Sequence, residues 1–186
     1  VFSSSSDATR IVLVTSAQPL EGKTTTACNL ALALACGGAQ VLLIDTDMRR
    51  PGVHRALELE NTRGLSDLLT GQAPVTGVVQ RLAEPDLWVM TAGWTPPNPS
   101  ELLASVRMNA LMASAQNGPL DWVIIDTPPV LGLNDALILT PWASGVTLVV
   151  GSEMTSRRLV ERSIETLTTS KARIFGVVLN RVDVAR

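Results

Sequence analysis

The chain has no tyrosine among its 186 residues, so no phenol of its own can take part in any chemistry it performs. Cysteine and histidine are nearly as scarce. Cys28 and Cys36 lie eight residues apart within one helix-forming stretch, about 12 Å along a helix axis. That separation excludes a bridge between them. Two cysteines also exclude a disulfide framework, and both read as small hydrophobes suited to a reducing compartment. His54 is the only histidine, with no Cys/His/acid cluster around it in sequence, and reads as a surface residue. A formal net charge of −2 offers no basic footprint for nucleic acid. Hydrophobic runs are short as well. The apolar stretch 30–44 is broken by Gly37-Gly38-Ala39-Gln40 into a helix end and a strand, and neither part reaches membrane-spanning length. Residues 1–10 hold a serine run without the apolar core of a signal peptide. There are no internal repeats, and the length suits one domain that buries roughly 70% of its unfolded surface.

What is present is concentrated at residues 17–24. Ala17-Gln18-Pro19-Leu20-Glu21-Gly22-Lys23-Thr24 has the [AG]-x-x-x-x-G-K-[ST] form of a phosphate-binding loop. An apolar, β-branched run precedes it at 11–15, and a helix-forming stretch follows at 24–36. A strand, a tight loop and a helix N-terminus aim backbone N–H groups and a helix dipole at one point, which favours a bound polyphosphate. Lys23 adds a charge near the β/γ-phosphates, and the Thr24 hydroxyl can ligate Mg²⁺. Residues 17–25, including Thr25, are therefore the candidate nucleoside-triphosphate contacts, with Mg²⁺ as the accompanying ion.

Strands and helices alternate. The patterning predicts strands at 10–16, 40–45, 87–91, 121–126, 145–151 and 174–180. It predicts helices at 23–36, 64–70, 74–82, 99–117, 134–141 and 155–170. The strands are short and apolar on both faces, as in a parallel sheet covered by helices. This is an α/β fold: a P-loop NTPase with a mostly parallel central sheet flanked by helices on both faces, its ligand site outside the carboxyl ends of the strands. Long loops are expected at 46–63 and 92–98.

A phosphate loop needs carboxylates to hold its metal, and strand ends supply them. Asp45 and Asp47 end the second predicted strand. Asp126 closes Trp122-Val123-Ile124-Ile125-Asp126, a Walker-B pattern. All three would converge with Lys23 and Thr24 at the carboxyl edge of the sheet, where Mg²⁺ is usually held by one or two carboxylates plus phosphates and water. Asp135 reads as a helix cap, and Arg49-Arg50 as a solvated basic turn.

These motifs together resemble the bacterial tyrosine kinases, the cytoplasmic kinase domains of polysaccharide co-polymerases within the ParA/MinD-like P-loop superfamily. The resemblance runs through residues 15–25 and Asn29-Leu30-Ala31. It continues through the second acidic motif, Val41-Leu42-Leu43-Ile44-Asp45-Thr46-Asp47-Met48-Arg49-Arg50-Pro51. Gly64-Leu65-Ser66-Asp67-Leu68-Leu69, Pro97-Asn98-Pro99-Ser100-Glu101-Leu102-Leu103 and Ile124-Ile125-Asp126-Thr127-Pro128-Pro129-Val130 follow in order.

The resemblance implies transfer of the γ-phosphoryl of MgATP to tyrosine, within capsule or exopolysaccharide production. Lys23, Asp45 and Asp47 would be catalytic: Lys23 stabilising charge, Asp45 orienting or deprotonating the incoming hydroxyl, and Asp47 near the metal, whose set would be Thr24, Asp47 and Asp126. Asn180, in Asn180-Arg181-Val182-Asp183, resembles a base-reading element and is a candidate adenine contact. The resemblance also implies a tyrosine-rich tail on a neighbouring subunit, a co-polymerase membrane domain in the same chain or as a separate activator, and a homo-oligomeric ring. It places the domain at the inner face of the bacterial plasma membrane. Three departures stand out: no tyrosine tail follows the last strand, no E-x-x-R-x-x-R helix precedes the first, and Gln18 replaces the signature lysine of partition ATPases. Residues 1–186 are thus expected to be a single kinase domain excised from a longer membrane-anchored chain, monomeric as a fragment. The alternative is a P-loop ATPase whose nucleotide state controls assembly with a membrane partner without phosphorylating protein.

Overall fold

A computed structural model describes residues 9–183. The serine run and the last three residues, where the family's tail would begin, lie outside them. Among the described residues, seven strands form one sheet: β1 (Arg10–Ser16), β2 (Val41–Asp45), β3 (Val79–Leu82), β4 (Leu87–Met90), β5 (Trp122–Asp126), β6 (Gly145–Gly151) and β7 (Ile174–Asn180). Their order is β3-β4-β2-β5-β1-β6-β7, parallel throughout except that β3 runs antiparallel to β4. Seven α-helices, again among the described residues, flank the sheet: α1 (Lys23–Cys36), α2 (Val53–Ala56), α3 (Leu65–Thr70), α4 (Pro99–Leu103), α5 (Val106–Gln116), α6 (Asp135–Leu139) and α7 (Arg157–Thr169).

The central strand β2 is buried from end to end, and β1 and β5 are buried after their first residues, as continuous apolar strands in a two-faced parallel sheet must be. Side chains alternate between two cores. Val12, Val14, Leu43 and Ile124 pack under the alanines of α1, while Leu13, Leu42, Ile44, Val123 and Ile125 pack toward α3–α7. Ala27, Ala31 and Ala35 let α1 lie close on the sheet. Cys28 is buried beside them and Cys36 is exposed; both are free thiols. Burial holds the Cys28 thiol up at about 12, so it packs as a hydrophobe.

Two boundaries differ from the sequence reading. The expected helix at 74–82 is a single 3₁₀ turn, Val75–Gly77, followed by edge strand β3. Pro74, Gly77 and the β-branched Val75, Thr76, Val78 and Val79 are poor helix formers, and pairing with β4 decides for strand. The expected helix 99–117 divides at Ala104, because Ser105 leaves helical geometry to cap α5, its Oγ accepting from the Met108 N–H. The long loop 46–63 contains α2. Among the described residues, no helix is long and apolar enough to cross a membrane.

Candidate functional site

The phosphate loop leaves the carboxyl end of β1, which lies between β5 and β6. It reverses through two left-handed positions, Leu20 at φ 69° and Gly22 at φ 93°. Gly22 is the N-cap of α1 and carries no side-chain cap, so the first-turn N–H groups remain available to an anion.

The loop is braced from beneath. Glu21 is buried, and its carboxylate accepts from the Gln18 N–H at 2.5 Å, from the Gly151 N–H at 3.0 Å and from the Thr155 hydroxyl. Asn180 donates its side-chain amide to the Glu21 carbonyl at 2.8 Å. The left-handed φ of Gly22 favours glycine, and a Cβ there would also meet that amide nitrogen at 1.9 Å and displace the Asn180 side chain from the loop. Glu21 acts as a strut, and Asn180, the candidate adenine contact, packs directly against the loop.

At the start of α1 the charges converge. Lys23 Nζ lies 2.9 Å from Asp47 Oδ2 and 3.7 Å from Asp126 Oδ1. The Thr24 hydroxyl donates to Asp126 Oδ2 at 2.6 Å. Burial pulls the Lys23 ammonium down, but Asp126, Asp47 and Asp45 together outweigh it and hold it above the ordinary lysine value. Asp126 is fully buried, and desolvation pushes its carboxyl up to about 7 despite Lys23 and Thr24.

Asp45 and Asp126 are register partners on adjacent strands, as two strand-end aspartates should be. Their roles nevertheless diverge. Asp45 is wholly buried, with Oδ1 accepting from the Asp47 N–H and Oδ2 from the Gly52 and Val53 N–H groups, each at 3.0 Å. It fixes the segment after β2, and burial raises it to about 6. Asp47 instead faces a cleft of about 770 Å³, which is walled by Pro19, Leu20 and Gly22–Thr25, the 47–56 segment, the Pro128–Leu133 turn and Arg181.

An oxygen donor set suits Mg²⁺. Asp126 Oδ1 is buried with no hydrogen bond, its nearest cation being Lys23 Nζ at 3.7 Å, while Oδ2 takes the Thr24 hydroxyl, so the carboxylate keeps acceptor capacity that an ion could use. Among the described residues no group of three or more His, Cys, Asp or Glu could hold a metal, so phosphate and water would complete its shell.

Sequence reasoning missed one constellation. Asp135 does not cap α6, whose N-cap is Asn134. It is buried, and accepts from Arg49 Nε at 3.2 Å and from the Ser100 hydroxyl. Arg49 is therefore tied down rather than a freely solvated turn residue. The partners lie 35 and 86 residues from Asp135, so no local pattern could have joined them. His54 is half-buried on α2 beside Arg55, and burial and that charge lower its pKa.

The ParA family model, described as that of the NUBPL iron-transfer P-loop NTPase, matches residues 7–185. Tyrosine-protein kinase YwqD of Bacillus subtilis (strain 168) is 45% identical over 169 residues, covering 91% of this chain and 71% of its own. Among solved structures, the chimerical protein CapA2B2 superposes with a TM-score of 0.90 at 37% identity, covering 96% of this chain and 77% of its own. The kinase domain of Escherichia coli tyrosine kinase ETK gives 0.86 at 34% identity, covering 95% and 71%.

Proposed function

Because this chain belongs to the bacterial tyrosine-protein kinases, a family of P-loop NTPases, we propose that it transfers the γ-phosphoryl group of MgATP to tyrosine hydroxyls. The observation that carries the phosphoryl-transfer half is the Lys23–Asp47–Asp126–Thr24 cluster at the mouth of the phosphate loop. Kinship supports the tyrosine half. The acceptor tyrosines come from the tail of a neighbouring subunit. A co-polymerase membrane domain brings the kinase to the inner face of the plasma membrane, where it regulates capsule or exopolysaccharide polymerisation and export.

Each residue has a role consistent with its surroundings. The loop N–H groups and the α1 dipole cradle the phosphates. Thr24 and Asp126 would hold Mg²⁺, which neutralises charge on the β- and γ-phosphates when bound. Lys23 stabilises the transferring phosphoryl. Its move onto phosphate releases Asp47 Oδ2, which then aligns the acceptor hydroxyl and takes its proton. Asp47 takes this role in place of Asp45, whose oxygens are engaged by backbone N–H groups; Asp45 holds Asp47 in position.

The deciding experiment uses radiolabelled ATP, Mg²⁺ and a tyrosine-rich peptide. With no tyrosine in the chain, no autophosphotyrosine is expected, whereas the peptide should be labelled in trans. Labelling will be slow, because a free peptide lacks the effective concentration of a tethered tail. ATP hydrolysis without peptide labelling, even at high peptide concentration, would favour the ATPase reading.

A second expectation concerns protons. A carboxyl raised to about 7 is mostly protonated at pH 6, and Mg²⁺ takes the ionised form. Binding of Mg²⁺-nucleotide should therefore release protons at pH 6 and strengthen as pH rises toward 7.5. Titration calorimetry in buffers of different ionisation enthalpy reads this directly. Asp126→Asn should remove both the release and most of the pH dependence; unchanged proton release in that variant would take Asp126 out of the metal site.

A further inference from the structure

We propose that Arg50 and Arg55 form the acceptor-recognition wall of the cleft and select tyrosines flanked by acidic residues. The inference rests on the phosphotransfer reading and names its acceptor class. The cleft lining holds Lys23, Arg49, Arg50, Arg55 and Arg181 against a single carboxylate, Asp47, in a chain of net charge −2. Positive charge is thus focused at this opening, where it draws in anionic partners.

Not all of these cations are available to a protein partner. Lys23 is held by Asp47 and Asp126 at the phosphate loop. Arg49 is paired with Asp135. Arg181 follows Asn180, on the side of the loop braced through Glu21. On the 47–56 side of the cleft Arg50 and Arg55 remain: both are exposed, and among the described residues neither makes an ion pair.

Their position matches the path of an acceptor. A Cβ on Gly52 would lie 3.0 Å from Thr24 Cγ2, so the 50–55 segment passes beside the hydroxyl that flanks the metal position. The Asp45 carboxylate pins that segment through the Gly52 and Val53 N–H groups. The wall is therefore anchored, and its two arginines line the same cleft as Lys23, Thr24 and Asp47. Guanidinium groups pair with carboxylates in bidentate, charge-assisted geometry, which suits Asp or Glu next to the tyrosine.

The test compares three peptides, each with one central tyrosine flanked on both sides by two Glu, two Ala or two Lys. The Glu peptide should have a KM about tenfold below that of the Ala peptide, a modest gain per exposed contact summed over two arginines. The Lys peptide should be worse than both. In Arg50→Gln/Arg55→Gln, the KM for the Glu peptide should rise to that of the Ala peptide, while the KM for ATP stays put. Arg50→Glu/Arg55→Glu should invert the order in favour of Lys. Fluorescence anisotropy of labelled peptides, in the presence of Mg²⁺ and a non-hydrolysable ATP analogue, reads the same ranking without turnover. Failure of the kinase reading would then leave peptide binding measurable. Equal KM and equal binding for the three peptides would overturn the proposal. So would a Glu preference that survives both variants, or a variant whose defect falls on the KM for ATP.

Discussion

Lys23→Met is expected to reduce phosphoryl transfer by about 10²–10³-fold and to weaken nucleotide binding. Methionine roughly keeps the volume and removes the charge at the start of α1 that Asp126, Asp47 and Asp45 hold above its ordinary pKa. The loss has two parts. The transition state loses a cation placed where charge develops, and the site is left with Asp47 and Asp126 facing each other uncompensated. Breaking a buried pair costs about 3–5 kcal/mol when the partner stays charged. Here part of that cost is avoided, because Asp126 already titrates near 7 and can take up a proton. A fluorescent ATP analogue titrated into both proteins, with thermal melting as a folding control, separates binding from stability. Equal affinity and equal turnover would remove the 17–24 loop from the nucleotide site.

Gly64→Ala should be the most damaging single-methyl change outside the site, costing about 3 kcal/mol or more and lowering Tm by about 6–12 °C. The strain is steric rather than torsional, since Gly64 is extended at φ −170°. A Cβ there would lie 2.2 Å from the Thr91 carbonyl oxygen, 2.3 Å from the Gly93 nitrogen and 2.7 Å from the Ala92 carbonyl carbon. All three are backbone atoms and cannot turn aside. The approach is close because the Leu65 and Ser66 N–H groups donate to the Thr91 and Ala92 carbonyls at 2.8 and 3.0 Å. Asp67 closes the turn by accepting from the Gly64 N–H at 2.8 Å. The Gly64-Leu65-Ser66-Asp67 motif is thereby a packing device that seats α3 on the carboxyl end of β4. Nucleotide affinity should change little in whatever fraction folds; a melting temperature within a degree of the parent would refute this account.

Most of the architecture and part of the site were legible without coordinates, because their signals are local. Six of the seven strands carry apolar runs bounded by turn residues, and the phosphate loop is a contiguous eight-residue pattern between a strand and a helix. Asp45 and Asp126 could be placed at the same sheet edge because both close such runs, and their register pairing follows from parallel order. Edge strand β3 was not legible. Its four residues hold no decisive pattern, and only the hydrogen bonds of β4 make them a strand.

What the sequence determined by itself is the presence of a phosphate loop, the acidic strand ends beside it and a parallel sheet to carry them. Those depend on backbone conformation and side-chain periodicity over a few residues. The tertiary structure alone decided how the carboxylates divide their work: Asp45 turned inward to three backbone N–H groups, Asp47 outward to Lys23, and Asp126 left with one unmet oxygen. It alone joined Glu21 to Gly151 and Thr155, and Arg49 to Asp135. The physical reason is common to all of them. A carboxylate's partners are set by which donors surround it at about 3 Å, and here many of those donors come from segments brought together only when the sheet closes.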